Sequence, residues 1–348
     1  MEKSKNLQQA LDKLNKEFGK NTIIVLGEVE PVKENLISTG SLLIDQALGG
    51  GIGRGRVAEI YGVEGAGKST LCLHIAAECQ KTGGIVAYID VENALDPVYA
   101  NDIGVNVDDM IFSQPASAEQ AMEICDTLAK SGEVDLIIVD SVAALSTEAE
   151  LNGEMSDMTI GATARLMSKA LRKLTGTLNQ NKCAIIFINQ LRDKISTGFS
   201  MGPSETTTGG RALKYFASQR IELRKTTAIK DKDQVIGNNV KIKVTKNKIG
   251  RPMQQVEIPL IFGKGFDSAT EVVDLALDYE ICKRSGSWFE THKGDRFQGK
   301  QSLLTYYDEH PEESVELREL VVKKLRGGEE NTLVQEDYEV DDNGVILE

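Results

Sequence analysis

The 348-residue sequence predicts an α/β fold with a mainly parallel central sheet, on the strength of two observations. The stretch Gly62-Val63-Glu64-Gly65-Ala66-Gly67-Lys68-Ser69 has the G-x-x-x-x-G-K-[ST] spacing of a Walker A phosphate loop. A strand-like run at 57–61 feeds it, and a helical stretch at 69–82 leaves it. Short apolar runs at 85–90, 136–140 and 183–189 then alternate with helical stretches such as 117–131. That is the rhythm of buried parallel strands joined by crossover helices.

Taken from the N-terminus, Leu7, Leu11, Leu14 and Phe18 recur at i, i+4, i+7 and i+11, and Gly19 follows. The spacing predicts an amphipathic helix, which either folds back on its own core or docks on a neighbouring subunit. Beyond Asn189 the pattern changes. Residues 220–224, 240–244 and 256–261 alternate like strands of a mixed or antiparallel extension. A smaller unit begins near Gly263-Lys264-Gly265 and runs to about Arg326, with Trp288 beside Phe289 expected in its core. The expected organisation is an N-terminal oligomerisation helix and linker (1–32), a nucleotide-binding core (33–265), a small C-terminal α+β domain (266–328) and an acidic, disordered tail (329–348).

Composition narrows the function classes. No apolar run is long enough to cross a bilayer and no signal-like segment follows Met1, so a cytoplasmic protein is expected. The five cysteines are widely scattered without a C-x-x-C pair, which points to buried free thiols rather than a zinc site or disulfide framework. With only three histidines, His74, His292 and His310, histidine-based metal or triad chemistry is not expected. The net charge of −13 argues against a nucleic-acid partner, but the last twenty residues carry eight acids and no base, leaving −5 for the rest. Mean charge therefore decides nothing.

The chemistry-bearing residues cluster around the loop. A strand, a glycine turn and a helix N-terminus aim several backbone N–H groups at one polyphosphate. Residues Gly62, Val63, Glu64, Gly65, Ala66, Gly67, Lys68, Ser69 and Thr70 form that cradle; Lys68 reaches the β- and γ-phosphates and the Ser69 hydroxyl ligates Mg²⁺. Asp140, at the end of an apolar run, holds the Walker B position for the same metal. Glu92 is the best placed acid to polarise the attacking water, with Asp90 as the other candidate. Gln190 can hydrogen-bond the γ-phosphate and report its loss.

Two long glycine-rich loops stand out at 152–161 and 191–210. The first precedes a helix with Arg165, Lys169, Arg172 and Lys173 on one face and no acid between 161 and 175. The second carries Arg192, Lys194, Phe199 and the run Thr206-Thr207-Thr208-Gly209-Gly210, followed by Arg211. Cations, hydroxyls and glycine N–H groups suit a nucleic-acid backbone; a solvated helix face beside a mobile loop is the alternative.

Further stretches extend these motifs across the chain: Ile37-Ser38-Thr39-Gly40-Ser41, Tyr88-Ile89-Asp90-Val91-Glu92, Ala94-Leu95-Asp96-Pro97, Val139-Asp140-Ser141-Val142, Ile188-Asn189-Gln190-Leu191-Arg192 and Lys246-Asn247-Lys248. In this order they closely resemble the bacterial RecA recombinases, nearly end to end. The resemblance implies a RecA-type P-loop core and a filament-forming, DNA-dependent ATPase. Such a protein pairs single-stranded DNA with a homologous duplex, using ATP and Mg²⁺. It implies that Glu92 is the catalytic carboxylate, that Gln190 links the γ-phosphate to the second DNA loop, and that Asp96 and Tyr99 contact the adenine. Arg165, Ser168, Arg172 and the second loop would hold DNA. Lys246 and Lys248 would reach ATP bound by the adjacent subunit. A role promoting self-cleavage of a LexA-type repressor in the SOS response is implied as well, and a ring-shaped helicase built on the same core is the competing reading. Val63, Gly65-Ala66, Asn93, Thr159 and Arg211 depart from the usual bacterial pattern, and none of these changes removes a catalytic group.

Overall fold

The computed structural model describes residues 5–19, 23, 36–154, 161–193, 205–232 and 234–329. Lys194, Phe199, most of the first long loop and the tail beyond Glu329 lie outside them. The chain opens with α1 (Lys5–Phe18), β1 (Leu36–Ile37), α2 (Leu42–Leu48), β2 (Ile52–Gly53), β3 (Val57–Gly62), α3 (Lys68–Lys81), β4 (Val86–Asp90) and α4 (Pro97–Ile103). It continues with β5 (Ile111–Ser113), α5 (Ala118–Ser131), β6 (Leu136–Asp140), α6 (Glu148–Asn152), α7 (Ala162–Asn181) and β7 (Ala184–Asp193). Then come β8 (Glu205–Thr207), α8 (Ala212–Phe216), β9 (Gln219–Asp231), β10 (Gln234–Asn247), β11 (Gln255–Ile261) and β12 (Gly265–Phe266). The last elements are α9 (Ser268–Asp278), β13 (Lys283–Ser285), β14 (Trp288–Glu290), β15 (Arg296–Gln298), α10 (Lys300–Glu309) and α11 (Pro311–Glu329).

Among the described residues ten strands join one sheet in the order β12-β11-β10-β9-β3-β7-β6-β4-β5, with β8 paired to β7 off that line. The half from β9 to β5 is parallel, whereas β9 to β12 run antiparallel to one another. Strand alternation sorts the apolar runs onto two faces. Ile60, Tyr88, Ile138 and Ile186 pack with residues of α2, α3 and α4 on one side. Val57, Ile89, Val139 and Phe187 pack with α5, α7 and α8 on the other. Both faces being covered explains why these strands read as continuous apolar runs. Helix starts are set by side-chain caps: Ser41 on α2, Asp96 on α4, Ser117 on α5 and Asp267 on α9 each accept a backbone N–H.

The C-terminal unit has its own 3-stranded sheet, β13-β14-β15, and its own core. Phe289 is buried there with Cys282, Leu303, Tyr307, Leu317 and Val321. Trp288 is not: it stands half-exposed on the opposite face, because adjacent residues of a strand point to opposite sides. The unit is tied to the main body where the buried Glu271 accepts the Leu43 N–H at 2.7 Å and Arg318 donates to the Gly40 carbonyl at 3.2 Å. All five cysteines are buried free thiols, and no described helix is long and apolar enough to cross a membrane.

Candidate nucleotide site and nucleic-acid face

A cleft of about 370 Å³ opens where β3 gives way to α3. Gly62 closes the strand, and a side chain there would strike the Leu223 carbonyl oxygen at 2.1 Å. Gly67 leads into α3 with φ +85°, which glycine adopts without steric cost. Lys68 is the first residue of α3 and Ser69 and Thr70 follow, so the helix N-terminus faces the cleft. Glu64, Gly65, Gly67, Lys68, Ser69, Thr70, Glu92, Tyr99, Asp140 and Gln190 all line it. Of the other loop residues, Ala66 is buried beneath and the Val63 carbonyl accepts the Lys68 Nζ at 2.9 Å.

The polar groups of the cleft hold one another. Asp140 Oδ2 accepts from Ser69 Oγ at 2.6 Å and from the Tyr88 hydroxyl at 2.7 Å. Burial pushes the Asp140 carboxyl upward, opposed by these two hydrogen bonds, while burial pushes Lys68 downward against the pull of Asp140 and Glu92. A hydroxyl and a carboxylate oxygen side by side form the hard-oxygen donor set that Mg²⁺ prefers, and a divalent cation there would favour the charged form of Asp140. The residues therefore fit the metal. Glu92 Oε1 accepts from the Ser141 hydroxyl and from Gln190 Nε2, the latter at 3.1 Å. Tyr99 shares a hydrogen bond with Thr70 Oγ1 at 3.0 Å. Asp96 is occupied differently: its carboxylate caps α4 by accepting the Val98 N–H at 2.9 Å, and it does not line the cleft.

Five lining residues were not anticipated from sequence: Ile188 on β7, and Leu260, Ile261, Phe262 and Gly263, which form a wall contributed by the far side of the sheet. The only hint of that wall was the Gly263-Lys264-Gly265 turn, read as a domain boundary. Lys246 and Lys248 stand apart from the cleft of their own chain. Lys246 Nζ donates to the carbonyls of Lys214 at 2.7 Å and Tyr215 at 3.0 Å, at the negative end of α8. Burial, with Lys248 and Arg220 nearby, pushes its ammonium downward. Lys248 is exposed.

The second long loop begins and ends differently from expectation. Strand β7 does not stop at Asn189 but runs on through Gln190 to Asp193, where 191–193 pair antiparallel with β8. The β-branched pair Thr206-Thr207 favours this extension, so Arg192 lies on a hairpin stem opposite Thr206. Thr208 Oγ1 donates to Asn189 Oδ1 at 2.5 Å, and Asn189 Nδ2 donates to both the Thr208 carbonyl and Glu59 Oε1. Glu59, fully buried, takes Arg220 Nε on its other oxygen at 2.5 Å. Gly209 and Gly210 have φ of +75° and +79° and lie so close to Val142 and Ala164 that side chains there would clash at 2.6 and 2.7 Å. The stem is thereby pressed against the start of α7. Arg165, Lys169 and Arg172 of α7 are exposed, as are Arg192 and Arg211, and Ser168 Oγ donates to the Ala164 carbonyl at 2.9 Å. Lys173 leaves this set: it pairs with Asp126 at 2.7 Å and Glu123 at 3.6 Å on α5. The acids that claim it come from another helix, beyond the reach of local spacing.

Residues 5–267 match the family model of the RecA N-terminal domain, and residues 270–326 match that of the RecA C-terminal domain. The chain is 50% identical over 317 residues to Protein RecA of Lactiplantibacillus pentosus, covering 90% of this chain and 83% of that relative. It is 47% identical over 345 residues to Protein RecA of Gluconobacter oxydans, covering 99% of each. To Protein RecA of Methylococcus capsulatus it is 46% identical over 345 residues, covering 98% of this chain and 99% of the relative. The chain belongs to the RecA family of recombinases, and its work is DNA recombination and repair.

Proposed function

We propose that this chain is a cytoplasmic, DNA-dependent ATPase that assembles as a helical filament on single-stranded DNA and exchanges strands with a homologous duplex. One observation carries the reading. Glu92 and Gln190 share a hydrogen bond in the cleft, and Gln190 sits on the strand that continues into the hairpin leading to Thr208. In this reading the loop N–H groups and Lys68 hold the ATP triphosphate, while Ser69 and Asp140 hold Mg²⁺. The metal supplies neutralisation of the β- and γ-phosphate charge. Glu92 orients and polarises the attacking water, a role that requires it to exchange its present partners for that water. Gln190 Nε2 has a choice between Glu92 and a γ-phosphate oxygen, so occupancy of the cleft is transmitted along β7 to the stem beside Arg165, Arg172 and Arg211. Tyr99 contacts the adenine, with Asp96 beside it.

Lys246 and Lys248 act on the ATP of the adjacent subunit. Cations supplied across an interface accelerate phosphoryl transfer by roughly 10³–10⁵, so an isolated subunit is a poor ATPase. Lys194 and Phe199 belong to the same proposed DNA surface. Measuring ATP turnover with and without single-stranded DNA, followed by a strand-exchange assay, tests the proposal; turnover indifferent to DNA would overturn it. Electron microscopy with ATP and DNA should show helical filaments, and closed rings alone would favour the helicase reading. A co-protease role is tested by mixing the filament with a LexA-type repressor and following its self-cleavage.

A further inference from the structure

The two halves of the cleft come from distant parts of the chain. Lys68, Ser69 and Thr70 on the first turn of α3 face the phosphate end, and Leu260 to Gly263, at the turn between β11 and β12, form the facing wall. Leu260 and Ile261 end β11, which pairs with β10 on one side and, through only two residue pairs, with the outermost strand β12 on the other. The β11 arm is therefore fixed by β10, while the β12 arm that turns back beside α3 has only this short pairing and the buried Phe266 to hold it.

One side chain adds a hydrogen bond from α3 to that arm. His74 lies one turn beyond Thr70 on α3, and its Nε2 accepts the backbone N–H of Phe266 at 3.0 Å. The approach is close enough that a side chain on Gly265 would stand 2.4 Å from Nε2 and 2.5 Å from Ile103 Cδ1, at a φ of +81° that favours glycine. The Phe266 ring packs against the imidazole with centroids 5.9 Å apart and also reaches the phosphate loop, lying 3.4 Å from where a side chain on Gly67 would begin. Burial pushes the imidazole down to about 4, so the ring is neutral near pH 7 and free to accept.

We infer that His74 is a positioning residue for the nucleotide: through the Phe266 N–H it sets the spacing between the phosphate-binding helix and the Leu260–Gly263 wall. The inference rests on the reading of the cleft as an ATP site. It assigns to His74 no contact with the phosphates, which separates the two ends of the ligand experimentally.

The test is DNA-free binding, in the presence of Mg²⁺, of a fluorescent ribose-labelled ATP analogue and, by competition, of inorganic tripolyphosphate. Removing the acceptor frees the β12 arm from α3, and the resulting loss of positioning is expected to be about tenfold in binding. His74→Ala should weaken the ATP analogue by that factor and leave tripolyphosphate within about twofold of wild type. His74→Gln, whose amide oxygen can accept the same N–H, should restore the analogue. His74→Phe keeps a ring against Phe266 without an acceptor and should behave like His74→Ala, so the test stands even where the alanine variant fails to fold. In steady state the KM for ATP should rise while kcat at saturating ATP is retained. Equal weakening of both probes would mean that α3 itself has shifted, and unchanged analogue binding would mean that the wall holds its place unaided; either result overturns the inference. Failure of the wild-type protein to bind the analogue would instead overturn the ATP reading of the cleft.

Discussion

The nucleotide cleft and the neighbouring basic face hold their polar side chains in opposite ways. In the cleft, Ser69, Tyr88 and Asp140 satisfy one another, and Glu92 is held by Ser141 and Gln190. On the basic face Arg165, Lys169, Arg172, Arg192 and Arg211 are exposed on a helix and a hairpin stem. Preorganised donors and acceptors lower the reorganisation needed for chemistry, whereas exposed cations bind a polyanion additively and without a fixed register. On the proposed reading, one region is built for a single geometry and the other for many equivalent ones.

Substitutions in the two regions should differ accordingly. The largest effect is expected for Lys68→Ala, which should cut ATP turnover by about 10³-fold or more in a steady-state assay; substantial DNA-stimulated turnover in that variant would show that the phosphate loop had been misassigned. Lys246→Ala should lower DNA-stimulated turnover by roughly 10²–10³-fold while binding of the labelled ATP analogue to dilute protein stays unchanged. Equal loss of both would place Lys246 at its own chain's nucleotide. Glu59→Gln breaks the buried pair with Arg220 and should destabilise the fold by about 3 kcal/mol in urea titration, since Glu59 is fully buried.

On the basic face, Arg165→Ala and Arg172→Ala should each weaken single-stranded DNA binding and reduce the slope of log K against log salt by about 0.7. Loss of binding with an unchanged slope would mean that these residues support the helix rather than meet phosphate. The smallest effect separates the cleft wall from the small-domain junction. His74 is pushed from 6.5 down to about 4, so its contribution to stability is complete above pH 6.5 and fades as the pH falls towards 4. Asp45, between Thr39 and the small domain, is pushed from 3.8 up to about 6, so its contribution is greatest at low pH and fades as the pH rises through that window. His74→Gln and Asp45→Asn should therefore tilt the stability profile between pH 4 and 6.5 in opposite senses, by about 1–2 kcal/mol each in urea melts at fixed pH.

The parts legible in the sequence were those that local pattern dictates. The phosphate loop, its flanking β3 and α3, and the buried runs of β4, β6 and β7 follow from spacing and continuous hydrophobicity. Features set by sheet order were not legible. The Leu260–Gly263 wall joins the cleft only because β9 to β12 extend the sheet beside β3. Lys173 loses its place on the basic face to acids of α5, and Glu59 finds Arg220 across a strand pair. Trp288 misled because a large apolar residue in a short strand can face either side, and the register chose Phe289 for the core.

The proposed reach of Lys246 into a neighbour's site, from its present place against two carbonyls, has a consequence for assembly as a whole. A site completed by a neighbour's lysines needs a head-to-tail contact, and a head-to-tail contact that does not close leaves two unlike ends. If Lys246 and Lys248 act across that contact as proposed, the last subunit at one end offers a loaded phosphate loop that no lysine reaches. At the other, Lys246 stays sheathed against the Lys214 and Tyr215 carbonyls with no triphosphate to serve. On the proposed reading, every filament therefore carries one subunit whose clock does not run, always at the same end, and growth and shedding become direction-dependent without any partner to impose a direction.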